Sequence, residues 1–147
     1  MSLPRIAIGC DHAGFVLKEE IKSKLTEIGY HVEDFGTHSL ESVDYPDYVH
    51  PVADSIEKKK NDIGILICGS ANGVAMTANK HPDIRAAIAW NNEIAALARS
   101  HNNANIICLP ARFIEASQGE EMVRIFLNTA FEGGRHAQRV EKIKLDT

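Results

Sequence analysis

The sequence predicts an α/β fold with a parallel, doubly wound sheet, and three observations carry that prediction. Short apolar, β-branched runs alternate with amphipathic helical stretches through most of the chain, as strands joined by helical crossovers do. The run near residues 63–67 is short, apolar and β-branched, which suits a parallel strand buried on both faces. The 147 residues suffice for one domain with a sizeable core and are too few for two comfortable ones.

Taken in order, Ile6, Ala7, Ile8 and Gly9 form the first strand, and CDHAGF follows it. Val16, Leu17, Ile21, Leu25 and Ile28 then mark the apolar face of a helix, with Lys18, Glu19, Glu20, Lys22 and Lys24 on its wet side and Gly29 placed to end it. Residues 30–35 resemble a second strand, polar enough for an edge. Residues 36–48 mix Gly, Ser, Asp and Pro and predict a loop, in which Tyr45 is either a pocket wall with a hydrogen-bonding tip or a packed anchor. Val49, Val52, Ala53 and Ile56 give the next helix, whose exposed end is the run of three lysines at 58–60. After the third strand, a turn and a short helix over 74–80, the pattern continues with a strand over 84–90 and a helix over 91–99. A strand over 106–109 and a long helix over about 115–131 complete it. In the tail, Arg135 and Arg139 stand four apart on one helical face.

Composition narrows the function classes. Hydrophobic residues make up 44% and charged residues 24%, ordinary for a folded soluble protein. Sixteen basic against 20 acidic side chains give a net charge of -4, which offers little to a nucleic-acid backbone. There is no run long enough to span a membrane and no signal-peptide pattern, so a cytoplasmic protein with neither nucleic-acid nor membrane partners is expected. The three cysteines, Cys10, Cys68 and Cys108, lack C-x-x-C spacing and are odd in number, which favours reduced thiols over disulfides or a zinc cluster.

The most informative stretch is DIGILICGSANGVAMTANK, residues 62–80. Cys68 ends its strand, and Gly69, Ser70, Ala71, Asn72 and Gly73 make a small-residue turn into a helix. Such a turn lets backbone amides approach an anionic group closely, with the thiol beside them. Neither G-x-x-x-x-G-K-[ST] nor G-x-G-x-x-G is present, so nucleotide binding has no motif support.

A parallel sheet also sorts the candidates by edge. Asp11 and His12, the Gly69–Gly73 turn, Asn91 and Arg112 follow strands and fall at the carboxyl edge, where open α/β sheets bind ligands. His101 and Asn102 precede a strand and belong near the opposite edge. To serve the same site they must come from another subunit. Asp11 alone is equally suited to capping a helix, and His101 to a helix end.

Together, GCDHAGF (9–15), DYPDY (44–48), ICGSANG (67–73), NK (79–80), SHNNAN (100–105) and EGGRHAQRV (132–140) closely resemble the B-type ribose 5-phosphate isomerase family, which includes galactose and allose 6-phosphate isomerases. The resemblance covers essentially the whole chain. It implies a Rossmann-like three-layer α/β/α sandwich with a five-stranded parallel sheet and a C-terminal helical extension over 132–147 that packs on a partner. It also implies no metal or nucleotide cofactor and a homodimer, or a dimer of dimers, whose sites are shared between subunits.

By position, the resemblance makes Cys68 the base that moves a proton between C1 and C2, supported by Ser70, where many relatives carry threonine. It makes His101 the ring-opening group, with Asp11 and His12 holding hydroxyls and Asn102 near the reacting carbons. Arg135 and Arg139, with Arg112 and His136, would clamp the phosphate. One branch uses a glutamate at the position of Val74; with Cys68 present and Val74 unable to accept a proton, this chain fits the cysteine-base branch. The expected reaction is the interconversion of ribose 5-phosphate and ribulose 5-phosphate in the non-oxidative pentose phosphate pathway. Ala71 and Asn72 depart from the glycine-rich turn of some relatives and leave an allose or galactose 6-phosphate open, and a non-catalytic sugar-phosphate-binding protein is the rival of another class.

Overall fold

The computed structural model describes residues 2–145. Five strands, β1 (Ile6–Cys10), β2 (Val32–Asp34), β3 (Ile63–Cys68), β4 (Ala86–Ile88) and β5 (Ile106–Pro110), form one all-parallel sheet in the order β2-β1-β3-β5-β4. The three central strands are the apolar runs of the sequence, and they are buried almost throughout. Helices α1 (Phe15–Glu27), α4 (Asn92–Ser100) and α5 (Ala116–Asn128) cover one face, where Ile65, Ile67 and Leu109 meet Leu17, Ile21, Ala95, Met122 and Phe126. Helices α2 (Pro46–Glu57) and α3 (Asn72–Ala78) cover the other, where Leu66, Cys68 and Cys108 meet Val49, Val52, Val74 and Ala78. Alternation along β3 assigns odd-numbered residues to one layer and even-numbered ones to the other. The three-layer α/β/α sandwich is therefore as expected, with α6 (Arg135–Glu141) as the C-terminal addition.

Three local readings are corrected. Lys18, assigned to the wet face of α1, is fully buried, while Val16 and Ile28, assigned to its apolar face, are more than half exposed. The reason is Asp34 on the edge strand, whose carboxylate accepts from Lys18 Nζ at 2.6 Å and from Lys22 Nζ at 3.0 Å and so draws the ammonium inward. The loop over 36–48 ends earlier than expected, because Pro46 starts α2: a proline fits the first helical turn, where its missing N–H is not needed. The fifth helix stops at Asn128, three residues early, with Asn128 Nδ2 and Thr129 Oγ1 turning back onto the carbonyls of Arg124 and Ile125.

The sheet order creates a topological switch point. From β1 the chain crosses to β2 on one side, and β3 lies on the other, so a crevice opens beyond the carboxyl ends of β1 and β3. No helix among the described residues is long and apolar enough to cross a membrane.

Candidate active site

Two turns wall the switch-point crevice. After β1, Asp11 opens a 3-10 turn over His12–Gly14; its Oδ1 accepts from the amides of Ala13 (3.0 Å) and Gly14 (3.3 Å), which leaves Oδ2 without a protein partner among the described residues. Asp11 thus is the helix cap that the sequence allowed and still presents an oxygen at the carboxyl edge. His12 Nδ1 accepts from the Val43 amide at 3.2 Å. A neutral His12 therefore carries its proton on Nε2 and offers a donor. Val43 is a contributor that the sequence did not suggest, since a backbone amide has no side-chain signature.

After β3, the chain passes from Cys68 into the turn before α3. Ala71, the residue before that helix, is fully buried and left-handed (φ 68°), a conformation that glycine adopts more readily. Ser70 Oγ accepts from the Asn72 amide at 3.3 Å, while the amides of Gly69, Ser70 and Ala71 donate to no protein acceptor among the described residues. Gly73 lies under the Tyr45 ring, which a Cβ there would approach to 2.5 Å, so Tyr45 is a wall of this crevice. Arg112 follows β5, donates its amide to the Gly69 carbonyl at 3.1 Å, and lays its side chain against Gly69.

The three thiols are now distinguishable. Burial pushes Cys10, at the end of β1, up to about 12 and raises Cys108, in the middle of β5, further still. Cys68 sits at the last position of β3, beside the free amides and the Arg112 side chain. Cys10 and Cys68 both end strands, and what separates them is the layer each faces and the turn that follows.

A second cluster lies at the opposite edge. His101 ends α4, which runs back from the carboxyl end of β4, and its ring stacks on that of His136 at 4.1 Å with an interplanar angle of 15°. The Glu132 amide donates to the Ser100 carbonyl at 3.0 Å, tying the tail to the end of α4. The Glu132 carboxylate lies 3.6 Å from His136 Nε2 and 3.9 Å from His101 Nε2. Burial, then the positive neighbours His101 and Arg135, hold the His136 imidazole below its usual range. Arg135 and Arg139 stand on the same short helix as His136, and Asn102 follows His101 directly. His101, Glu132 and His136 are the metal-ligating side chains that come together among the described residues. Nearly parallel imidazoles aim their in-plane nitrogens side by side instead of at one point, so the trio suits charge sharing better than tetrahedral coordination.

Within one chain, then, Asp11, His12, Tyr45, Cys68, Gly69–Gly73 and Arg112 gather at the carboxyl edge, and His101, Asn102, Arg135, His136 and Arg139 gather at the amino edge. Arg112 lies with the thiol cluster, at the edge opposite the Arg135 and Arg139 of its own chain. Glu132 joins this cluster of histidines and arginines without a role implied by the resemblance, and its four-residue spacing from His136 is the sequence signal for the contact.

The family described as Ribose/Galactose Isomerase matches residues 6–143. The chain belongs to the ribose/galactose isomerase family. Among its relatives in this family, ribose-5-phosphate isomerase B of Escherichia coli K12 is 43% identical over 141 residues, covering 96% of this chain and 95% of the relative. A crystal structure of a ribose 5-phosphate isomerase from Thermotoga maritima, 50% identical, superposes with a TM-score of 0.94 over 96% of this chain and 97% of that one. The family member ribose-5-phosphate isomerase B from Mycoplasma genitalium, solved with bound ribulose-5-phosphate, is 43% identical with a TM-score of 0.93, covering 97% and 95% of the two chains.

Proposed function

We propose that this ribose/galactose isomerase family member interconverts D-ribose 5-phosphate and D-ribulose 5-phosphate, an aldose–ketose isomerisation of the pentose phosphate pathway. The observation that carries the assignment of residues is the position of Cys68, at the switch-point crevice beside unpaired backbone amides. The high identity to ribose-5-phosphate isomerases over nearly the full length of both chains supports the substrate.

The reaction begins from the closed furanose. His101 moves the anomeric hydroxyl proton to the ring oxygen, the C1–ring oxygen bond breaks, and the linear aldose forms. The Cys68 thiolate removes the C2 proton, giving a cis-enediolate, the C2 hydroxyl proton passes to O1, and the resulting thiol returns a proton to C1 as the C2 carbonyl forms. The amides of Gly69, Ser70 and Ala71 face the developing oxyanion, and Arg112 adds positive charge next to them. Asp11 Oδ2 and His12 Nε2–H hold sugar hydroxyls, Tyr45 walls the crevice, and Asn102 lies near the reacting carbons. Arg135, Arg139 and His136 bind the phosphate, whose binding energy positions the distant carbons.

This assignment requires two copies of the chain, the thiol cluster of one facing the histidine and arginine cluster of its partner. Exposed apolar side chains at the carboxyl edge support such an assembly: Leu40, Trp90 and Phe113 follow β2, β4 and β5, and Phe113 is 75% exposed.

Proton exchange in heavy water tests the reading. Ribose 5-phosphate should acquire deuterium at C2, Cys68→Ala should abolish exchange and turnover while retaining phosphate binding, and Arg139→Gln should raise the apparent KM. Preference for a hexose 6-phosphate would move the substrate and keep the chemistry. Binding without exchange would leave a sugar-phosphate-binding protein, and undiminished turnover in Cys68→Ala would remove the thiol from its role.

A further inference from the structure

Ring opening puts a transient positive charge on His101, and the structure surrounds that charge unevenly. His136 is stacked on it at 4.1 Å, so a proton on one imidazole opposes a proton on the other. Arg135 and Arg139, one residue before and three after His136, add positive charge to the same cluster and favour the neutral form of His136. The carboxylate facing both rings is that of Glu132, 3.9 Å from His101 Nε2 and 3.6 Å from His136 Nε2. These distances are too long for hydrogen bonds and short enough for a substantial Coulombic interaction. The backbone that carries this half-exposed carboxylate is tied down, since the Glu132 amide donates to the carbonyl of Ser100, the residue before His101. The following Gly133 and Gly134 both have positive φ, and they turn the chain into α6 so that His136 falls back over His101.

We infer that Glu132 is a positioning residue of the ring-opening step, its carboxylate compensating the charge that His101 takes up with the anomeric proton while the stacked His136 stays neutral. The proposal rests on the ring-opening assignment of His101 made above. In proton balance, His101 accepts the hydroxyl proton and returns it to the ring oxygen as the carbon–oxygen bond breaks, and Glu132 remains ionised throughout. When the phosphate dianion neutralises Arg135 and Arg139, Glu132 no longer competes with those guanidinium groups for influence on the histidine pair. Substrate binding and readiness for ring opening are coupled in this way.

The test compares Glu132→Gln and Glu132→Asp with wild type on two substrates, ribose 5-phosphate and a four-carbon aldose 4-phosphate, whose phosphorylated C4 oxygen cannot close a furanose. In Glu132→Gln, kcat on ribose 5-phosphate should fall about five- to tenfold, the effect of one partly screened charge at this range, and the acidic limb of its pH profile should move to lower pH. Turnover of the four-carbon substrate should be unchanged, and Glu132→Asp should recover part of the loss. His101→Asn, run in parallel, separates the two levels of the argument. If His101→Asn loses both substrates equally, the ring-opening assignment fails. If His101→Asn is selective for the furanose while Glu132→Gln is silent, or reduces both substrates alike, Glu132 has no positioning role.

Discussion

At the scale of single residues, the chain departs furthest from hydrophobic patterning at Lys18. A fully buried ammonium is tolerable because Asp34 receives it at 2.6 Å and also accepts from the Gly36 amide at 2.9 Å. Burial works to raise the Asp34 carboxyl, but the hydrogen bonds from Lys18, Gly36 and Lys22 outweigh it and hold the carboxyl below its usual range. Because its folded-state value is depressed, the stabilisation is present above the unfolded carboxylate value and is lost as pH falls through the acid range, below about pH 4. Asp34→Asn, which strands Lys18 in the core, should cost about 3 kcal/mol in urea unfolding at pH 7, and the deficit relative to wild type should shrink by pH 3. A deficit independent of pH would assign the loss to packing instead. Lys18 was legible only as a polar residue on a helix, because its partner lies 16 positions away on an edge strand.

At the scale of elements, the site depends on how closely the turns after β1 and β3 approach. Gly14 is the contact: a Cβ there would lie 2.7 Å from the Ile67 carbonyl and 2.8 Å from the Ile67 Cβ, neither of which can swing away. Gly14→Ala should therefore destabilise the protein by about 2 kcal/mol and lower kcat, since it separates the Asp11–His12 turn from Cys68. Thermal unfolding and steady-state kinetics check both, and an alanine variant with wild-type kcat would show that the spacing is not critical. The opposite end of the sheet uses carboxamides as substitutes for strand. Asn79 Oδ1 and Nδ2 pair with the amide and carbonyl of Ala86 on β4, at 2.8 and 2.9 Å, covering the open edge of that short strand. The Asn79-Lys80 motif thereby acquires a structural reason alongside its family resemblance.

For the whole molecule, the decisive feature is the separation of the two clusters by the thickness of the sheet edge to edge. A mixture of Cys68→Ala and His101→Asn chains tests the shared site directly. Each variant alone should be inactive, whereas chains unfolded and refolded together should recover about one quarter of wild-type activity, because mixed dimers rebuild one intact site in two. No recovery would place both groups in a site formed by a single chain or by another arrangement of copies.

The sequence by itself determined the alternation of strands and helices, the apolar central strands, the edge to which each candidate group belongs, and the family. These follow from local periodicity, chain order and short motifs, all of which are written along one dimension. Only the tertiary structure decided that Cys68 ends its strand beside unpaired turn amides and Arg112, that burial raises Cys10 and Cys108, that Val43 fixes the His12 tautomer, that Lys18 is buried, and that Glu132 faces two stacked imidazoles. Each depends on a neighbour brought close by folding: a strand beside a strand, a loop amide over a ring, a tail turned back onto a helix end. Desolvation and charge–charge interaction depend on distance and burial in space, and residue order carries neither until the sheet is assembled.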